Sequence, residues 1–132
     1  MKFMLDTNIC IYIIKHQPPS VLDRLVALPT EEVGISIITA AELRYGASKS
    51  ARPDHNHKAL DEFLYPLEVA PYAEPAAKAY GTIRSALEKK GRPIGPMDLL
   101  IAAHALSLDV RLVTNNAKEF ARVEGLEIDN WA

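Results

Sequence analysis

Asp6, Glu42, Asp98, Asn116 and Glu119 carry the chemistry this chain has to offer, and each stands near a point where a strand or loop hands over to a helix. Asp6 closes an apolar run that begins at Met1, and Thr7 and Asn8 follow it. Glu42 comes after the β-branched run 33–38 and Thr39. Asp98 follows Gly95, Pro96 and Met97. Asn115 and Asn116 follow the run 110–113 and Thr114, with Glu119 just beyond. In an open parallel sheet the C-terminal ends of the strands form one edge, and ligands bind along it. Acids far apart in sequence can meet there. A carboxylate cluster without a matching basic cluster repels itself unless a cation is bound. Hard oxygen ligands of this kind select Mg²⁺ or Mn²⁺.

Positioning those acids requires alternating strands and helices, and the pattern supplies them. Residues 2–5 read as a short buried strand and 9–15 as a helix that stops before Pro18 and Pro19. Ser20 is placed to cap a helix over 21–28. The run 33–38 reads as a fully buried strand. Thr39 and Glu42 have capping-box spacing for a helix toward Ser50. Asp54 is placed to cap a helix through Phe63, and residues 67–69 form a short strand. The longest helix is expected over 74–90, with Gly91 as its C-cap and Pro93 beyond. Pro96 opens a helix to Ser107. Residues 110–113 make a strand, 117–121 a short helix and 126–128 an edge strand. The fold class expected is α/β, with a mainly parallel central sheet flanked by helices.

The 132 residues favour one domain, residues 1–132, large enough to hold a core without staples. A single cysteine, Cys10, excludes an internal disulfide and suits a reducing cytoplasm. No apolar run approaches the ~20 residues of a membrane span. Asp6 and Asn8 break the N-terminal apolar stretch, so it lacks a signal-peptide pattern. The net charge of -2 gives no global pull toward nucleic acid, and a local basic rim around an acidic centre remains compatible with it. The stretch 88–92, with Lys89, Lys90 and Arg92, is the candidate rim.

Each acid also has an ordinary structural use. Asp6 can cap the helix beginning near Ile9. Glu42 can complete the capping box. Asp98 in a first helical turn complements the helix dipole. It is the joint placement of these acids at successive element starts that argues for a metal site. His55 and His57 read as surface residues, and His104 as a core residue facing away from Asp98. No Cys/His set suggests zinc, and no serine stands among nucleophile-elbow glycines.

Four stretches together resemble the PIN domain, and within it the VapC-type toxins of bacterial toxin–antitoxin pairs. They are residues 4–8 around Asp6, 37–46 around Glu42, 91–102 with the proline-rich lead-in to Asp98, and 112–120 with Thr114, Asn116 and Glu119. The resemblance spans essentially the whole chain. It implies a Mg²⁺- or Mn²⁺-dependent endoribonuclease, a homodimer and inhibition by a cognate VapB-type antitoxin. It also implies structured RNA as substrate, with tRNA and especially initiator tRNA expected for the proline-lead-in subgroup. Many PIN domains carry Asp where this chain has Asn116, and Glu119 from the next turn is the candidate replacement.

The expected mechanism has Asp6, Glu42 and Asp98 holding Mg²⁺ directly or through its waters, with water activated for in-line attack on a phosphate. Thr7, Asn8, Thr39 and Thr114 are candidates to support these ligands. The competing readings are a structure-specific DNA nuclease, an inactive interaction module and a phosphoacceptor receiver-like domain. The last fits poorly, because the chain lacks adjacent acids after its first strand and a lysine near its last.

Overall fold

The computed structural model describes all 132 residues. Five short strands, β1 (Phe3–Leu5), β2 (Val33–Ser36), β3 (Glu68–Ala70), β4 (Arg111–Val113) and β5 (Ile128–Asp129), form one sheet in the order β3-β2-β1-β4-β5. Every pairing is parallel, with Phe3 opposite both Val33 and Arg111. Parallel neighbours need crossovers, and seven helices supply or flank them: α1 (Thr7–Lys15), α2 (Pro19–Val26), α3 (Ile37–Ser48), α4 (Pro53–Leu64), α5 (Glu74–Lys89), α6 (Pro96–Leu108) and α7 (Ala117–Phe120). The chain first works outward from β1 to β3, then returns to place β4 on the other side of β1. The reversal puts a crevice between the C-terminal ends of β1 and β4, where ligands of open sheets bind. A receiver-like domain has the order 2-1-3-4-5, so that reading does not survive the topology.

Strand alternation divides the core in two. Met4 and Leu112 face Ile83, Leu87, Leu99 and Phe120 on the α5–α6 side. Leu5, Val33, Ile35 and Val113 face Ile9, Ile13, Leu43 and Leu60 on the α1–α3–α4 side. Both faces of the sheet are therefore covered, which explains why its strands read as continuous apolar runs.

Three expected caps fall elsewhere. The capping box at Thr39 and Glu42 is not formed. Ser36 is the N-cap of α3, its hydroxyl accepting from the Ile38 N–H at 3.0 Å, so the strand expected through residue 38 stops two residues earlier. A polar residue inside a β-branched run was the boundary signal. α2 starts at Pro19 with Pro18 as its cap, and the Ser20 hydroxyl instead donates to the Trp131 carbonyl at 2.9 Å. α4 starts at Pro53, which puts Asp54 inside its first turn. Proline at N1 sets the helix start in both cases, since its missing N–H costs nothing there. The end of α5 matches expectation. Gly91 (φ 64) follows the cap, its N–H bonds the Glu88 carbonyl, and the Arg92 N–H bonds the Leu87 carbonyl. This double bond pattern turns the chain sharply into the proline lead-in.

Candidate active site

Asp6 leaves β1 almost fully buried and is the N-cap of α1, its Oδ1 accepting from the Ile9 N–H at 2.9 Å. The capping role weighed for it is therefore real. That bond occupies Oδ1, and the Thr114 hydroxyl also reaches the carboxylate. Burial raises its pKa, the Thr114 hydroxyl and the Ile9 N–H pull it back, and the charge of Glu42 raises it again. Glu42 lies in the second turn of α3. Its Oε1 accepts from the Thr7 hydroxyl at 2.6 Å, which ties the α3 acid to the residue after Asp6. Asn8 is exposed on the same first turn of α1. Thr39, one turn before Glu42, is fully buried and its hydroxyl has no partner.

Asp98 lies in the first turn of α6 and is half-buried. Its pKa is raised to about 6, first by burial, then by the charges of Glu119, Asp6 and Glu42. Glu119 lies across Gly95. A Cβ at Gly95 would stand 3.8 Å from Asp98 Oδ2 and 4.0 Å from Glu119 Oε1. Both oxygens of Glu119 are engaged, Oε1 by the Gly95 N–H at 2.9 Å and Oε2 by the Asn116 side-chain amide at 2.6 Å. Those bonds hold its pKa below the usual carboxylate range. Thr114 is fully buried and accepts from the Asn116 N–H at 2.9 Å, which shapes the turn after β4.

The fold thus brings Asp6, Glu42, Asp98 and Glu119 within electrostatic reach of one another at the β1/β4 crevice. No basic side chain figures among the groups acting on Asp6 or Asp98. The acids stand apart, and no three of them close into a compact cage. That donor set fits a hard divalent ion, because Mg²⁺ is commonly held by one or two carboxylates while keeping several waters.

The remaining sequence candidates separate cleanly. Lys89, Lys90 and Arg92 are exposed beside the lead-in, and Arg122 donates to the Pro93 carbonyl at 3.1 Å. His57 lies on α4, between Arg44 and the Ser48 hydroxyl. His104 is a core residue, as its place in the helix suggests. Two contacts gave no sequence signal. Asn115 donates to the Tyr12 hydroxyl at 2.6 Å, joining the turn after β4 to α1, and Gly95 offers its backbone to Glu119.

The PIN domain model matches residues 3–126. The tRNA(fMet)-specific endonuclease VapC of Shigella flexneri is 46% identical over 132 residues, covering 100% of this chain and 99% of that relative. The DNA-bound VapBC of Salmonella typhimurium superposes with a TM-score of 0.95 at 45% identity, over 100% of this chain and 99% of its counterpart. The VapBC2 of Rickettsia felis, bound to a DNA fragment from its promoter, superposes with a TM-score of 0.93 at 44% identity over 100% of both chains.

Proposed function

The chain belongs to the PIN domain family, and on that premise we propose that it is a Mg²⁺-dependent endoribonuclease toxin of a VapBC-type pair, cleaving initiator tRNA in the cytoplasm. PIN-domain nucleases use divalent metal ions. Mg²⁺ is the choice here because the donors are hard oxygens held apart, and Mn²⁺ is the natural substitute. The observation that carries the reading is the convergence of Asp6, Glu42 and Asp98, from three separate elements, with Asp98 raised to about 6 partly by the other acids. When bound, the ion supplies a polarised phosphate and an acidified water.

The chain's own residues do the rest. Asp98 offers a carboxylate that no protein donor occupies. Thr7 holds Glu42 with one oxygen committed and one available. Asp6 is fixed by its cap bond and by the Thr114 hydroxyl. Glu119 and Asn116 form the fourth corner as a mutually bonded pair, with Glu119 supplying charge and Asn116 orienting it. Lys89, Lys90 and Arg92 give an RNA backbone a basic edge. Cleavage of purified initiator tRNA with Mg²⁺, abolished by chelator, is the test. Cleavage that persists in chelator, or cleavage of DNA alone, would overturn the proposal.

A VapB-type antitoxin is the partner. Ile11, Ile14, Leu43, Ala47 and Leu60 line a groove of about 380 Å³ between α1, α3 and α4, and Glu42 stands at its border. An amphipathic segment with a terminal Arg or Lys fits both the groove and the acids. Val21, on α2, is fully buried core and lies outside this groove. A homodimer is supported by exposed apolar residues on the helices that carry Glu42 and Asp98: Ile37 (43% exposed) and Tyr45 (66%) on α3, and Met97 (40%) on α6. We expect the isolated chain to sediment as a dimer at micromolar concentration. A strict monomer would refute that part.

A further inference from the structure

His104 is the most buried imidazole in the chain, 1% exposed, six residues after Asp98 on α6. Its Nε2 lies 3.1 Å from the Pro71 carbonyl oxygen and its Nδ1 2.7 Å from the Ser36 hydroxyl. A carbonyl only accepts, so Nε2 carries the proton and Nδ1 accepts from Ser36. The same hydroxyl accepts from the Ile38 N–H, capping α3. One neutral tautomer satisfies all three bonds. Tyr72 packs edge-on against the ring at 4.9 Å and donates its hydroxyl to the Leu100 carbonyl at 3.1 Å. Burial pushes the His104 pKa down, which favours the neutral form this network requires.

The network joins the two helices that have reason to separate. α6 carries Asp98 and α3 carries Glu42, and each carboxylate repels the other. The Ser36–His104 bond ties the start of α3 to the middle of α6, while Pro71 anchors the other side of the ring just beyond β3. We propose that His104 is a positioning residue, which through the Ser36 hydroxyl holds the Glu42 helix at the spacing from the Asp98 helix that a metal-assisted reaction requires. This rests on the functional reading above and adds to it a buried support that touches neither RNA nor ion.

Two near-isosteres separate positioning from mere packing. Asn at 104 reproduces the Nδ1 acceptor, and Gln reproduces the Nε2 donor. We expect His104→Asn to keep the Ser36 bond and stay close to wild type in kcat. His104→Gln and Ser36→Ala should each lower kcat and Mg²⁺ affinity by roughly ten- to a hundredfold, with KM for tRNA unchanged. The double variant His104→Gln/Ser36→Ala should be no worse than Ser36→Ala alone, because that substitution already breaks the Ser36–His104 link along with the cap bond to Ile38. Equal losses in Asn and Gln, or losses that multiply in the double variant, would overturn the proposal. Nitrogen NMR of the wild-type imidazole tests it without catalysis: an Nε2-protonated neutral ring is expected, and an Nδ1-protonated or cationic ring contradicts it. A wild-type chain that fails to cleave tRNA would sink the functional reading, while the NMR and Mg²⁺ titrations would still decide the role of His104.

Discussion

Asp98 and Glu119 flank the same glycine and titrate in opposite directions. Asp98 accepts no protein hydrogen bond, is half-buried and rises to about 6. Glu119 accepts one bond on each oxygen and falls below its ordinary value. Two carboxylates that flank one glycine and feel each other's charge are thus in opposite states. The unpartnered acid is held at a cost, and on the proposed reading a cation would relieve it. The partnered acid is already doing a structural job, pinning α7 to the start of α6, and lends the site its charge from a fixed position. Asp6 and Glu42 lie between these extremes: Glu42 has one oxygen bonded by Thr7, and Asp6 is bonded by the Ile9 N–H and the Thr114 hydroxyl.

That contrast orders the expected substitutions. Asp98→Asn removes the acid with no other use, so tRNA cleavage should fall by at least roughly 10²–10³-fold, comparable to losing a preorganised electrostatic group. Single-turnover cleavage assays check this, and near-normal activity would erase the contrast. Glu42→Gln should come next, with a loss of about 10²-fold. Gln still accepts from the Thr7 hydroxyl, so circular dichroism and melting should show an intact fold. Unchanged cleavage would leave Glu42 as a tether only. Glu119→Gln should cost less, about tenfold in Mg²⁺ affinity by calorimetry, since the amide oxygen can still accept from Gly95. A loss equal to that of Asp98→Asn would make Glu119 a full ligand. Asn116→Asp places an anion against Glu119 where a donor stood. It should lower the metal-free melting temperature and enlarge the gain on adding Mg²⁺.

The smallest effect is on pH dependence. Asp98 binds its proton near pH 6 when folded, against 3.8 in the unfolded chain. Between those values the folded state holds more protons, so metal-free stability falls as pH rises from about 4 to about 6. Asp6, also raised, adds to the fall, and Glu119, lowered, opposes it. Asp98→Asn should flatten the slope measured by urea unfolding at several pH values. A slope unchanged by the substitution would remove Asp98 as its source.

The sheet and the helices were legible because each depends on local pattern: apolar runs for the strands, Pro96 and Gly91 for the limits of the lead-in. The acids were singled out at element starts, but Glu42 proves to lie in the second turn of α3, not at its start. The caps were less legible because chemistry alone does not choose between neighbours. Thr39 and Ser36 both qualify, and only the depth of the strand selects Ser36. The partners of the acids were illegible. Thr7 meets Glu42 across 35 residues, and Glu119 binds a backbone N–H of Gly95, which has no side chain to advertise it. His104 was readable as core, but its bond to Ser36 spans 68 residues and depends on packing no periodicity encodes.

The central claim is that burial and the neighbouring carboxylates together destabilise the Asp98 anion, and that a divalent ion would relieve it. Scanning calorimetry of the wild type and Asp98→Asn, each with and without Mg²⁺, tests it most directly. The metal-free variant should melt at or above the wild-type temperature, and Mg²⁺ should raise the wild type by several degrees while barely moving the variant. A metal-free variant that melts clearly below the wild type, with the Mg²⁺ gain intact, would show Asp98 to be a structural acid and contradict the account.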